Sequence, residues 1–269
     1  MRQALFIPQF GELADPRLLA DLGRRAESAG WDGLFLWDHI QYRSPADRVL
    51  DPWIGLAAIG AATDRLRLGA MVTPLARRRP WVVARQLAAL DLLTAGRMVL
   101  GVGLGLDDSG QELSTFGEEL DARARAEMLD EALAIVGGLL SGQKVHHRSP
   151  HYLVDGATFL PTPVQSPLPV WVAARWPNQA PLRRAARYQG VFAIDVSTPA
   201  EAGELRHRAE AMRSGSGATG LFDIILAPEP GWPARDWAQA GVTWLLTPFS
   251  QFEARAEDVA KAVDAGPGE

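Results

Sequence analysis

The sequence predicts an α/β protein of the (β/α)8 TIM-barrel class, with residues 1–269 forming one domain. Three observations lead there. Strand-like apolar runs alternate with amphipathic helical stretches, eight such units follow one another, and 269 residues is close to the roughly 250 usual for such a barrel. No linker, repeat or low-complexity segment interrupts the alternation.

The first strand is ALFIPQ. Asp15 and Pro16 then stand at cap and first-turn positions, Leu18, Leu19, Leu22, Ala26 and Ala29 recur at helical spacing, and Gly30 closes the helix. The second strand, GLFLWDHI, stops abruptly on Asp38 and His39, two groups costly to bury unless something uses or satisfies them. A helix from about Pro52 to Thr63 leads to LRLGAMV. A helix opened by Pro80, carrying Val83, Leu87 and Leu90 and ending at Gly96, leads to MVLGVGL.

A helix is expected over 122–140, and HHRSPHYLVDGATFLPTPVQSPLP reads as an inserted hairpin with a proline-rich return after the fourth barrel strand. VWVAA, GVFAI, LFDIILA and TWLLT supply four more strands, separated by helical stretches near 178–189, 199–213 and 231–240, with a last helix from about 253. Active sites of such barrels lie at the C-terminal strand ends, which puts Asp38 and His39 at the mouth. The alternative is that Asp38 caps a loop and His39 is a surface residue.

Composition narrows the function. A net charge of −5 gives no electrostatic reason to expect nucleic acid, and the absence of cysteine excludes disulfide and thiolate chemistry. The opening MRQALFIPQF lacks the long apolar stretch of a signal or spanning helix, so the expectation is a cytoplasmic protein with a small-molecule substrate and no membrane partner. Trp232 and Trp237 are candidates for a homodimer interface.

GVGLG (101–105) is glycine-rich but closes a strand and leads into DDSGQEL, the wrong context for a dinucleotide fingerprint. Its glycines instead let a flat ring system lie against backbone. His146, His147 and His151 fall in the hairpin without carboxylates at ligand spacing and read as solvated, so no metal is expected; His207 reads as exposed. Arg77, Arg78 and Arg79 are either an anion-binding run or a solvated loop. In WVAARWPNQAP, Arg175 and an Asn178-capped helix start can converge on a phosphate; alternatively Arg175 pairs with an acid and Trp176 is packing.

In order and spacing, AESAGWDGLFLWDHI, DPWIGLAAIGAATDRLRLGAMVTPLARRRPWVVARQLAALDLLTAGRMVLGVGLG, ELSTFGEELDARARAEMLDEAL, LPTPVQSPLPVWVAARWPN and RRAARYQGVFAI resemble the luciferase-like monooxygenases, flavin- or deazaflavin-dependent barrel oxidoreductases. The resemblance covers nearly the whole chain. It implies that His39 lies beside the reactive ring as an acid–base group and that Asp38 orients it or its loop. Val72 and Thr73 would back the ring at a bulge or a cis peptide, Gly103, Leu104 and Gly105 would border it, and Ala173, Ala174, Arg175, Trp176 and Asn178 would hold the phosphate. Phe6, Gln9 and Trp37 are implied to shape the substrate pocket. The chain departs from the family pattern at Ala173 and Ala174, where at least one glycine is usual, and at Gln189, where an acid is common.

The implied function is oxidation or reduction of a small organic substrate by FMN bound at the barrel mouth, with NAD(P)H as reductant. The alternatives are a dehydrogenase or reductase using the deazaflavin coenzyme F-420, or a flavin-binding protein without turnover. A metal-dependent hydrolase would need ligands clustered on several strand ends, where only Asp38, His39 and Asp195 offer themselves.

Overall fold

The computed structural model describes residues 1–46, 48–107, 111–229 and 231–268, without the side chain of Ser216. In chain order its elements are β1 (Arg2–Ile7), α1 (Pro16–Ala29), β2 (Gly33–Leu36), α2 (Pro52–Ala62), β3 (Arg67–Pro74), α3 (Pro80–Leu93), β4 (Met98–Gly103) and α4 (Ala122–Leu140). There follow β5 (Val145–Arg148), β6 (Leu153–Ala157), β7 (Val170–Arg175), α5 (Gln179–Ala185), β8 (Gly190–Ile194), α6 (Pro199–Ser216), β9 (Asp223–Leu226), α7 (Ala234–Gln239), β10 (Trp244–Pro248) and α8 (Ala256–Ala265).

Among the described residues eight parallel strands close a barrel in the order β1-β10-β9-β8-β7-β4-β3-β2, and β5 and β6 form the separate antiparallel hairpin. This is the predicted barrel with the predicted insertion after its fourth strand.

Local chemistry sets the element ends. The Asp15 carboxylate accepts from Arg17 N–H, Pro16 occupies the first turn, and Gly30 closes α1 in the left-handed region at φ 92°. Asp51 caps α2 by accepting from Trp53 and Ile54 N–H, and Thr198 with Glu201 forms a reciprocal capping box on α6. Two helices are shorter than the sequence suggests: α5 stops at Ala185, and α7 runs only from Ala234 to Gln239, between Pro233 and Gly241. The ninth-strand run LFDIILA shrinks to Asp223–Leu226, because Leu221 stands in solvent.

Period-two alternation divides the core into two layers. Phe35, Val99, Trp171, Phe192, Ile225 and Trp244 fill the barrel, while Leu34, Leu100, Val172 and Ile224, one position along each strand, pack outward against the helices. Trp171 stacks obliquely on both Phe35 and Trp244, with centroids 5.4 Å apart in each case, so the floor beneath the mouth is solid. Trp237, expected at an exposed interface, is buried in the outer layer; Trp232 is half exposed.

The hairpin histidines differ from expectation in one respect. His146 is exposed beside Asp155, but His147 and His151 are largely covered and face Glu131 and Glu127 of α4, which ties the hairpin to the barrel. No helix among the described residues is long and apolar enough to cross a membrane.

Candidate active site

The C-terminal strand ends carry inward-facing positions that continue the interior layer. Phe6, Trp37, Val72, Ala173, Ile194 and Ala227 pack on that layer from above. Following the barrel order, aromatic rings come from β1 and β2, and small or aliphatic side chains from β3, β7, β8 and β9.

On the β2 side the backbone is pinned from below. Gln9, fully buried, donates from Nε2 to the Trp37 and Leu50 carbonyls at 2.7 and 3.1 Å and accepts from Trp37 N–H at 3.2 Å. This departs from the expectation that Gln9 shapes the substrate pocket: the side chain is sealed and its amide is spent on backbone. Gln9 fixes the strand end that projects Trp37, whose ring stacks on Phe6 with centroids 5.4 Å apart.

Asp38 and His39 diverge. The Asp38 carboxylate is sealed from solvent and accepts from Arg77 at 3.0 Å, Arg78 at 2.7 Å and Trp53 Nε1 at 3.4 Å. It does not hold His39. The partner of His39 is Glu112, with Oε2 2.6 Å from Nδ1. The other oxygen, Oε1, accepts from Ile40 N–H at 2.5 Å and from Arg77 Nη1. Arg77 thus bridges two carboxylates, and its side chain is only 4% exposed, as is that of Glu112. Neither sequence reading of the arginine run survives for Arg77 and Arg78: they are not solvated, and their charge is consumed by Asp38 and Glu112 rather than offered to a ligand.

Burial alone would raise the Glu112 carboxyl, but the hydrogen bond and charge of His39, with Arg77 and the Ile40 N–H, outweigh it and hold the carboxyl below its ordinary range. An ionised carboxylate can only accept, so His39 carries its proton on Nδ1 when neutral. That leaves Nε2 without a protein partner among the described residues. With His39 neutral, the charges of Asp38, Glu112, Arg77 and Arg78 cancel.

On β3, the neighbour of β2 in the barrel, the peptide between Met71 and Val72 is cis and the β3–β4 register shifts between Ala70 and Thr73, where the family resemblance implied a bulge or a cis peptide. A Cβ on Gly103 would lie 2.6 Å from Val72 Cγ2, so glycine there is what lets Val72 enter the mouth. The Thr73 hydroxyl is buried without a partner. Leu104 turns outward and packs on the outer layer, so at that position only backbone can border a ligand. Of the two alanines, Ala173 faces the mouth and Ala174 is buried in the outer layer.

Arg175 pairs with Asp195, and each side chain is half exposed. Trp176 sits under the Arg208 guanidinium at 4.9 Å, a packing role. The expected Asn178 cap is not made by its side chain, and α5 is a seven-residue helix whose start offers little dipole. A phosphate at this corner would rest on Arg175 more than on the helix.

Sequence reasoning missed Glu112, Phe10, Tyr42 and Phe252. Tyr42 stacks on Phe10 at 4.8 Å and stands edge-on to His39 at 5.0 Å, and Phe252 approaches Tyr42 at 5.9 Å. Glu112 lies in a loop rich in acids, and no local pattern separates it from Asp107 or Glu118.

The family model for luciferase-like monooxygenases matches residues 3–230. The F420-dependent glucose-6-phosphate dehydrogenase of Microbacterium testaceum is 37% identical over 174 residues, covering 63% of this chain and 49% of that protein. The chain thus spans about half the length of the curated relatives it matches. Among solved structures, an F420-dependent secondary alcohol dehydrogenase in complex with an F420-acetone adduct is 15% identical with a TM-score of 0.82, covering 98% of this chain and 96% of that one. The monooxygenase RslO1 from Streptomyces bottropensis is 20% identical with a TM-score of 0.79, at the same coverages.

Proposed function

The chain belongs to the luciferase-like monooxygenase family, and from that premise we propose that it is a deazaflavin-dependent oxidoreductase whose cofactor occupies the small-residue side of the mouth. The observation that carries the reading is His39. Its Nδ1 is committed to an ionised Glu112, and Nε2 is left as an acid–base atom beside a wall where Gly103 admits Val72 and Ala173 adds only a methyl group. FMN is the second reading, supported by distant likeness to monooxygenases such as RslO1. The deazaflavin is preferred because relatives at about one-third identity are named for it.

The residues present fit such a group. Val72 would back the ring, and Gly103 and Ala173 leave room for a flat face; Thr73, in register with the outward-facing Val102, is turned to the outer layer and does not reach it. Arg175, released from Asp195, would meet a phosphate. When bound, the deazaflavin supplies hydride acceptance and return. The chain's own part is to orient the substrate, exclude water with the rings of Phe6, Trp37 and Tyr42, and take or give a proton at His39 Nε2. Glu112 keeps the imidazole in one tautomer, and Arg77 keeps Glu112 in place.

The test is a titration of cofactor-stripped protein with the deazaflavin and separately with FMN, followed by ring fluorescence. The expected result is tight binding of the deazaflavin and weaker binding of FMN. Tight binding of FMN alone transfers the reading to an FMN enzyme with NAD(P)H as reductant, and binding of neither overturns both.

A further inference from the structure

The β2 side of the mouth is walled by rings from separate segments: Phe6 of β1, Phe10 after it, Trp37, His39 and Tyr42 at and beyond the end of β2, and Phe252 beyond β10. Their exposure is graded. Phe10 and Phe6 are buried, Trp37 and Tyr42 are half-buried, and Phe252 is 37% exposed, so the outer rings present faces while the inner ones hold them. Ile40 and Leu106, on the loops after β2 and β4, add large apolar side chains in solvent at 45% and 54%.

The charges nearby are already committed. Arg77 and Arg78 are held by Asp38 and Glu112, Arg175 on the β7 side is already assigned to the phosphate of the cofactor, and the Arg43 guanidinium lies over the Phe252 ring at 5.1 Å. A sugar phosphate needs uncommitted cations for its anion and polar partners for its hydroxyls. Apolar area of this extent is instead matched by an apolar ligand.

We propose that this wall is the substrate subsite and that it takes an uncharged alcohol or ketone with an aliphatic or aromatic body, rather than a sugar phosphate. The body lies on Trp37, Tyr42 and Phe252, and its oxygen meets His39 Nε2. The role of that oxygen rests on the proposed oxidoreductase reading; the fit of the body rests on the rings alone.

The test uses the straight-chain alcohols from 1-butanol to 1-heptanol and glucose 6-phosphate as probes, with the Trp37 indole N–H and the His39 ring followed by NMR in the full chain. It is run without cofactor and again with the deazaflavin. The expected result is tighter binding by about threefold to fourfold per added methylene, the factor for burying one such group, with glucose 6-phosphate silent. Phe252→Ser flattens this slope and Phe252→Leu retains it; the exposure of Phe252 makes both compatible with folding. Affinity independent of chain length, or glucose 6-phosphate shifting these signals below the 1-hexanol concentration, overturns the proposal. A silent deazaflavin titration with the slope intact overturns the cofactor reading and leaves the subsite standing. A bound deazaflavin with a flat slope overturns the subsite alone.

Discussion

On the β2 side of the mouth Asp38, Glu112, Arg77 and Arg78 are nearly sealed from solvent and satisfy one another, whereas on the β7 side Arg175 and Asp195 meet with half of each side chain in water. The same chemical pairing serves two purposes. A buried pair fixes geometry, because removing one partner leaves the other charged and unsatisfied. An exposed pair contributes little to stability and can be exchanged for a ligand anion at small cost. On the proposed reading the β2 side supplies acid–base geometry and the β7 side attaches the cofactor, and that division can be broken at either end.

Arg77→Ala has the largest expected effect. It removes the cation shared by Asp38 and Glu112, leaving the first to Arg78 and the second to His39, and the loss of stability is about 3 kcal/mol, the low end for a broken buried pair, measured by the urea midpoint. An unchanged midpoint would show that the cluster is not a structural clamp. His39→Ala comes next. Turnover should fall about a hundredfold, the range of a lost acid–base group, while the deazaflavin fluorescence titration is unchanged. A parallel loss of cofactor affinity would merge the two walls into one site.

Glu112→Gln sharpens the comparison through pH. The Glu112 carboxyl is held below its ordinary value of 4.5, so its stabilisation is fully present above that value and is lost as pH falls through the lowered one. The glutamine variant should lose about 1.5–3 kcal/mol at neutral pH, as for a hydrogen bond to a charged group. The deficit relative to the parent should shrink toward acid. Asp130 and Glu27 are also lowered, so only the difference between parent and variant reports on Glu112.

The sequence made the barrel readable because its signals are local: Asp15-Pro16 and Gly30 bracket α1, and GLFL is a short apolar run that follows the Gly30 stop and ends on polar residues, as a buried strand does. His39 was readable because a polar group at a strand end is locally anomalous. Glu112 was not, since its partner is 73 residues away and the two meet only because β2, β3 and β4 are neighbours in the barrel. The arginine run misled for the same reason: Arg77 looks solvated until the carboxylate 35 positions later is folded onto it. Trp237 misled in the opposite sense, because one aromatic on a short helix carries no periodicity to reveal which face is covered.

Arg175→Ala is the smallest expected change and separates the two plans most cleanly. Each partner of the Arg175–Asp195 pair is half exposed, so solvent screening limits its worth to below about 1 kcal/mol, and the urea midpoint should barely move. Cofactor affinity should nonetheless fall by roughly tenfold, since a charge-assisted contact to a phosphate is lost where the short α5 offers no compensating dipole. Arg175→Lys keeps the charge but not the planar fork and should fall between the two. If affinity holds in Arg175→Ala while the midpoint drops, the pair belongs to the fold, and the phosphate must be sought elsewhere along the small-residue wall.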